Sequence, residues 1–217
     1  MTPYGDVHKA GSAIDRRIST LHLIMHRIRV NYGINILNDE SSILDSLYLK
    51  IDVEDFFVWL RVILDLIAYM TPYFYEQGID IMQRHSFNKQ LDWYKKMPSF
   101  DMEYTNFLIN DIEQWFVNLK SIRDDSIHHQ FWAYVDFKGT KKGYLLRMKG
   151  NKTISEEPIL KAVGSYYNTF IEFSKFYEEI FLKKLIARGY EKHPHFSGSM
   201  IAKYSTSINH LINAGNS

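Results

Sequence analysis

The nine residues Ser121-Ile122-Arg123-Asp124-Asp125-Ser126-Ile127-His128-His129 carry a guanidinium, a pair of carboxylates and a pair of imidazoles, a density of reactive side chains that no other stretch of this sequence has. An imidazole with an ordinary pKa near 6.5 gives and takes protons at neutral pH. An arginine holds phosphate oxygens through two parallel N–H bonds. Together they suit attack of a ribose 2′-hydroxyl on its own phosphodiester, the imidazole as base and the guanidinium balancing the phosphorane charge. No metal is needed for that step. One copy of the pair lacks the second acid that must protonate the departing 5′-oxygen.

Other reactive groups are placed less tellingly. His22 and His26 stand four apart and could share one helix face around a metal, but no third ligand lies near them in the sequence. His193 and His195 fall in a polar stretch that reads as a solvated loop. Arg61 and Asp65, also four apart, can pair on a helix. The chain has no glycine-rich phosphate loop, no Gly-x-Ser-x-Gly elbow, no His-Glu-x-x-His and no calcium loop. No metal site and no cofactor are expected.

The elements that must position Arg123 to His129 read as helices. Ile14, Ile18, Leu21, Met25, Ile28 and Tyr32 recur at steps of three and four, and Gly33 can stop that first helix. Residues 38 to 51 read equally well as a short helix or an extended segment. Asp52 stands where an N-cap belongs, ahead of Glu54, Asp55 and the apolar run Phe56, Leu60, Ile63, Leu64, Ile67 and Met70, with Pro72 as the stop. A shorter helix is expected between Asp80 and Lys96. Asp101 can cap a helix through Tyr104, Leu108, Ile112, Phe116, Leu119 and Ile122, which runs straight into Arg123.

The period then changes from three-and-four to two. Phe131, Ala133, Val135 and Phe137 alternate with polar or aromatic neighbours, Gly139 to Gly143 supplies turn chemistry, and Tyr144 to Met148 returns: a β-hairpin. It carries Lys138, Lys141, Lys142 and Arg147, with Trp132, Tyr134 and Tyr144 interleaved, a composition suited to holding phosphates and stacking bases. Lysines on an exposed hairpin also serve simply to prevent edge-to-edge pairing. Ser155 is expected to cap a last long helix that Gly189 ends.

Composition narrows the classes. With no cysteine among 217 residues, thiolate catalysis, disulfides and cysteine-ligated metals are excluded. A formal net charge of +1 leaves nucleic-acid attraction to local patches rather than to the whole molecule. The start of the chain lacks a signal-peptide pattern, and the most apolar stretch, 56 to 70, is broken by Arg61 and Asp65. A cytoplasmic protein without membrane segments is expected, in a single domain over 1–189 followed by a polar tail, 190–217, ordered only in part.

Arg123, four residues and then His128, with a polar Asp124 directly after the arginine, a long apolar helix before it and a Leu64-Asp65 step on an earlier apolar helix, resembles the motif of the HEPN superfamily, the higher eukaryotes and prokaryotes nucleotide-binding domains. Arg17 with His22 and Arg188 with His193 share the spacing, but Ile18 and Gly189 follow those arginines. The resemblance covers roughly 52 to 185, less the hairpin. It implies an all-α fold, a helical bundle of HEPN type, here with an inserted β-hairpin at about 130–149.

The resemblance further implies a metal-independent endoribonuclease, of a kind used as toxins and defence effectors, in which two motifs meet across a homodimer interface. Carried onto this sequence, Arg123 stabilises the phosphate, His128 is the acid/base, Asp124 orients rather than reacts, and His129 is the alternative base. Asp65 would support the site. RNA, a second copy of the chain and a nucleotidyltransferase-like antitoxin are the implied partners. A non-catalytic HEPN-like module that binds nucleotide or RNA, or a helical interaction scaffold, is the reading left beside it.

Overall fold

The structure, a computed structural model, describes residues 3–37, 43–75, 78–82, 86–128, 133–136, 143–149 and 154–187, with side chains at 9–33, 47–75, 78, 80–82, 86–124 and 158–187. The described residues are mostly helical: α1 (Pro3–Leu37), α2 (Ile43–Met70), α3 (Gly78–Ile81), α4 (Phe87–Lys96), α5 (Met102–Phe107), α6 (Glu113–His128) and α7 (Ile159–Ala187). The all-α framework expected from the apolar spacing is present. None of the described helices is long and apolar enough to cross a membrane.

The apolar stripes account for the long helices. Ile18, Leu21, Ile24 and Ile28 of α1 are buried, as are Phe56, Leu60, Ile63, Leu64 and Ile67 of α2 and Phe170, Phe173, Tyr177 and Ile180 of α7. Gly33 does not stop α1, which continues to Leu37. A glycine inside a helix costs only about 1 kcal/mol against alanine, less than a terminus needs to be enforced. Pro72 does stop α2: the helix gives way at Met70 to a 3-10 turn, Thr71–Phe74, because proline has no N–H to continue the ladder. The shorter helix expected between Asp80 and Lys96 is α4, with Phe87, Leu91 and Tyr94 buried, and the short α3 precedes it. Gly78 opens α3 where a Cβ would stand 2.2 Å from the Pro72 carbonyl oxygen, so only glycine fits that approach.

A π-helical turn, Leu108–Ile112, joins α5 to α6. Tyr104, Leu108, Ile112 and Phe116 are all buried and each is four residues from the next. On an α-helix a step of four overshoots one turn by about 40°, so three such steps would swing the stripe about 120° away from the core. The extra residue taken up by a π turn returns about 100° of that, and all four side chains stay inside.

Contacts divide the chain into two compact units. The first comprises Met1–Asp15, Ile63–Gln114 and Tyr167–Ser217. Its core is aromatic: Phe87 meets Phe173 edge-on at 5.6 Å, Tyr94 meets Tyr104 at 5.1 Å, and Tyr104 meets Phe181 at 5.1 Å. Such rings prefer this geometry because the positive edge of one faces the negative face of the next. The second unit comprises Arg16–Val62 and Trp115–Tyr166. There α1 and α2 run antiparallel, with Arg27 on Asp52 and Arg17 over the Trp59 ring at 4.2 Å, while Phe57 and Trp115 both pack on Tyr166.

In that second unit β1 (Ala133–Asp136), β2 (Gly143–Lys149) and β3 (Ile154–Pro158) form an antiparallel sheet in the order β1-β2-β3, with Ala133 opposite Leu146 and Leu146 opposite Glu157. The helix expected to be capped at Ser155 therefore starts later, at Ile159, and the capping sequence Ser-Glu-Glu-Pro is extended instead, its backbone paired with β2.

Candidate functional site at the end of helix α6

Phe116, Leu119 and Ile122 bury one face of α6, and the chain reaches Arg123 with Ile122 still in the core. Arg123 Nη1 donates to Asp124 Oδ1 at 2.9 Å, and each side chain is 39% exposed. Neighbours on a helix point about 100° apart, so the contact is made by the length of the arginine reaching round to the short carboxylate. An ion pair this open to water adds little to stability. Its consequence is orientation: one edge of the guanidinium is tied down while the group stays reachable from solvent.

Position 128 is the last of α6, and residues 123 and 128 thus lie on one helix. Five residues separate them by about 7.5 Å along the axis and about 140° around it. Within one chain, then, these positions do not share a helix face. Position 116 is two turns before 123 on the same face. There the Arg61 guanidinium lies over the Phe116 ring at 4.8 Å, so the face bearing Arg123 is the one that α2 covers a little over 10 Å earlier along the axis.

The side chain of His128 lies outside the described residues, as do His129, Lys138, Lys141, Lys142, His193, His195 and the tail 190–217. Arg147 is described in its backbone alone, in β2 opposite Glu156. Asp65, in the first unit, caps α4. Its Oδ1 accepts from the backbone N–H of Phe87 at 2.7 Å, at a helix start where the N-cap Ser86 makes no side-chain cap bond. That is a structural role which sequence spacing did not suggest, because the capped helix begins 22 residues away.

His22 and His26 behave as separate residues. His22 is half-buried, and the loss of hydration pushes its ring down to about 4, so it is neutral at physiological pH; His26 is exposed. Among the described residues no group of three His, Cys, Asp or Glu side chains could hold a metal.

Two polar clusters escaped the sequence reading. Asp52 does not cap α2; it lies nine residues inside it, buried, and takes bonds from Arg27 Nη2 and, at 3.0 Å, from Asn31 Nδ2 of α1. Burial pushes its carboxyl above the ordinary carboxylate range against the pull of Arg27. Its spacing of three from Leu49 and four to Phe56, both buried, was the available signal: it occupies a stripe position.

The second cluster surrounds Asp101. That residue caps α5 as expected, its Oδ1 accepting from Tyr104 N at 3.2 Å. Its Oδ2 accepts from Lys184 Nζ at 2.8 Å and from the Tyr75 hydroxyl, which is bonded in turn to Tyr94. Burial alone would raise the Asp101 pKa, and the bonds from Lys184, Tyr75 and Tyr104 N outweigh it and hold the carboxyl below its usual range. With donors already committed to both oxygens, this carboxylate is an anchor of the first unit rather than a reactive group.

Set against family models, curated proteins and solved structures, the chain matches none of them.

Proposed function

We propose that the protein is a metal-independent endoribonuclease of the HEPN kind, a HEPN-type helical bundle with a β-hairpin inserted at about 130–149, working as a homodimer and serving as a toxin or defence effector. The observation that carries this reading is the Arg123–Asp124 pair: a solvent-reachable guanidinium tied by a neighbouring carboxylate, directly after the buried Ile122 of α6. In the proposed step an imidazole, His128 or His129, takes the proton of a ribose 2′-hydroxyl. The 2′-oxygen attacks phosphorus, and the Arg123 N–H groups hold the charge that gathers on the phosphoryl oxygens. The P–O5′ bond breaks and an imidazolium returns the proton to the leaving oxygen, giving a 2′,3′-cyclic phosphate and a 5′-hydroxyl. Separation of positions 123 and 128 by about 140° on one helix favours supplying base and acid from two chains. Lys138, Lys141, Lys142 and Arg147 hold the RNA backbone in this reading, and a nucleotidyltransferase-like antitoxin is the partner that would restrain it.

The same angular separation favours a second reading, a non-catalytic HEPN-like module in which Arg123 binds the phosphate of a nucleotide or RNA without cleavage. Incubation of the purified chain with structured RNA in EDTA separates the two. Cleavage that resists the chelator and is lost in both Arg123→Ala and His128→Ala supports the enzyme. Equal background in all three proteins sinks it, and salt-dependent binding without cleavage selects the module.

A further inference from the structure

Two stripes of side chains on the outer surface of the second unit repeat at matching spacing. On α1, Leu23, Arg27 and Val30 stand four and three residues apart, and on α2, Tyr48, Ile51 and Asp55 stand three and four apart. Each set therefore shares one helix face over about two turns. Leu23, Val30, Tyr48 and Ile51 are 56%, 42%, 57% and 43% exposed, the solvent side of helices whose opposite faces are filled by Ile24, Ile28, Val53 and Phe56. The charged members bring the stripes side by side: Arg27 Nη2 and Asp55 Oδ2 are 3.9 Å apart across the two helices, with side chains 45% and 48% exposed. That distance is beyond a hydrogen bond. Arg27 commits Nη2 to the buried Asp52 and keeps further N–H donors; the Asp55 oxygens have no donor within bonding distance among the described residues.

We propose that this surface docks an amphipathic α-helix of another protein, one whose apolar stripe carries an asparagine or glutamine at its middle. Two neighbouring helices with apolar residues at three-and-four spacing form a groove into which a third helix sets a stripe of the same period. Leu23 and Val30 line one wall, Tyr48 and Ile51 the other, and they lose water together with the incoming side chains, which is what an interface core requires. The charge pair sets the middle residue. A carboxamide has a carbonyl oxygen to accept from the remaining Arg27 N–H groups and an amide N–H to donate to Asp55. A carboxylate there would meet Asp55 with like charge, an ammonium would meet Arg27 so, and an apolar group would cover the open donors and acceptors without replacing their water. The inference goes beyond the ribonuclease reading and stands without it, because none of these residues belongs to α6.

The test is fluorescence anisotropy of the full chain with labelled synthetic helical peptides of about four turns. They carry leucine at three-and-four steps and, at the middle of the stripe, glutamine, glutamate, lysine or leucine. The glutamine peptide is expected to bind about tenfold tighter or more than each of the others. Leu23→Glu and Ile51→Glu are each expected to weaken its binding about tenfold or more while keeping wild-type circular dichroism. Val117→Glu serves as a control, since Val117 is a similarly exposed apolar residue on α6, and is expected to bind as wild type does. Absence of saturable binding overturns the proposal, as does equal affinity for all the peptides or binding unaltered by Leu23→Glu and Ile51→Glu. Light scattering on the chain alone covers the other occupant: a wild-type dimer that both substitutions break up assigns the surface to a second copy and overturns the proposal too. Should Ile51→Glu fail to fold, Leu23→Glu alone decides.

Discussion

Replacing Asp65 by alanine removes the side-chain acceptor of the Phe87 N–H at the start of α4. The bond from Phe87 N to Asp65 Oδ1 is short, 2.7 Å, half-buried, and made to a charged oxygen at the positive end of a helix dipole. Loss of an ordinary cap costs about 1 kcal/mol, and the charge and partial burial raise the expectation for Asp65→Ala to about 1–2 kcal/mol. Asp65→Asn keeps an acceptor oxygen and forfeits only the charge, so about 0.5–1 kcal/mol is expected. For a chain of this size each kcal/mol moves the melting temperature by about 2–4 °C, which places alanine about 2–8 °C below wild type and asparagine between the two. Urea denaturation gives the free energies, and amide hydrogen exchange at Phe87 reports the cap directly. The reasoning fails if alanine stays within about 0.3 kcal/mol of wild type, or if Phe87 exchange is unaltered. Under the proposed ribonuclease reading, an Asp65 that acts only through the cap leaves RNA cleavage per folded molecule unchanged in Asp65→Asn; a fully stable but inactive variant would instead assign it to a reaction site.

Two pH-linked outcomes follow from the buried polar groups. His22 is neutral in the folded chain with its pKa lowered from 6.5 to about 4, so its contribution is complete above pH 6.5 and is lost as pH falls from 6.5 towards 4, where the unfolded chain binds the proton first. After discounting for partial solvent access this is worth about 1–2 kcal/mol. Equilibrium unfolding at pH 7 and pH 4.5 should show His22→Leu losing that much less than wild type between the two; equal losses refute it. Asp101 has the opposite sense, a depressed carboxyl whose stabilisation is present above the unfolded carboxylate pKa and disappears as pH drops through its folded value. Asp101→Asn is expected to cost about 2–3 kcal/mol at neutral pH by leaving Lys184 without its counter-charge, and to converge on wild type in strongly acidic urea titrations. A gap that persists unchanged in acid would mean the bonds to Tyr75 and Tyr104 N, not the ion pair, carry the effect.

The sequence was most readable where a single local rule decides the outcome. Pro72 ends α2 because it lacks an N–H, and Asp101 caps α5 because its carboxylate reaches the N–H three residues on. It was least readable where a side chain serves a distant segment. Asp52 has every local mark of a cap, yet Arg27 and Asn31 make it an interior residue of α2, and nothing within ten residues of Asp52 reveals them. The spacing of Asp65 points only to Arg61 four residues before it, and its bond to Phe87 N, like the place of Arg61 over Phe116, is invisible locally. Ser155 failed for a different reason: a strand partner in β2 outbid the cap, and cross-strand pairing leaves no trace in a capping motif. At the candidate site, Arg123 falling directly after the buried Ile122 was legible from the apolar steps alone. That Asp124 turns back to hold it was a matter of reach, visible only with side chains in place.

The π turn at Leu108–Ile112 makes the register of α6 a matter of counting. Straightening it into an α-helix with no residue removed would turn everything downstream by about 100°. Ile122 would then occupy the azimuth that Arg123 holds now, without any substitution in the motif itself. Loss of one residue within the turn is the change that straightening absorbs, because the turn already takes up one extra residue. Homologous chains aligned through this segment should therefore tolerate a single-residue gap here, with an α-helix in place of the turn, more readily than one elsewhere in α6.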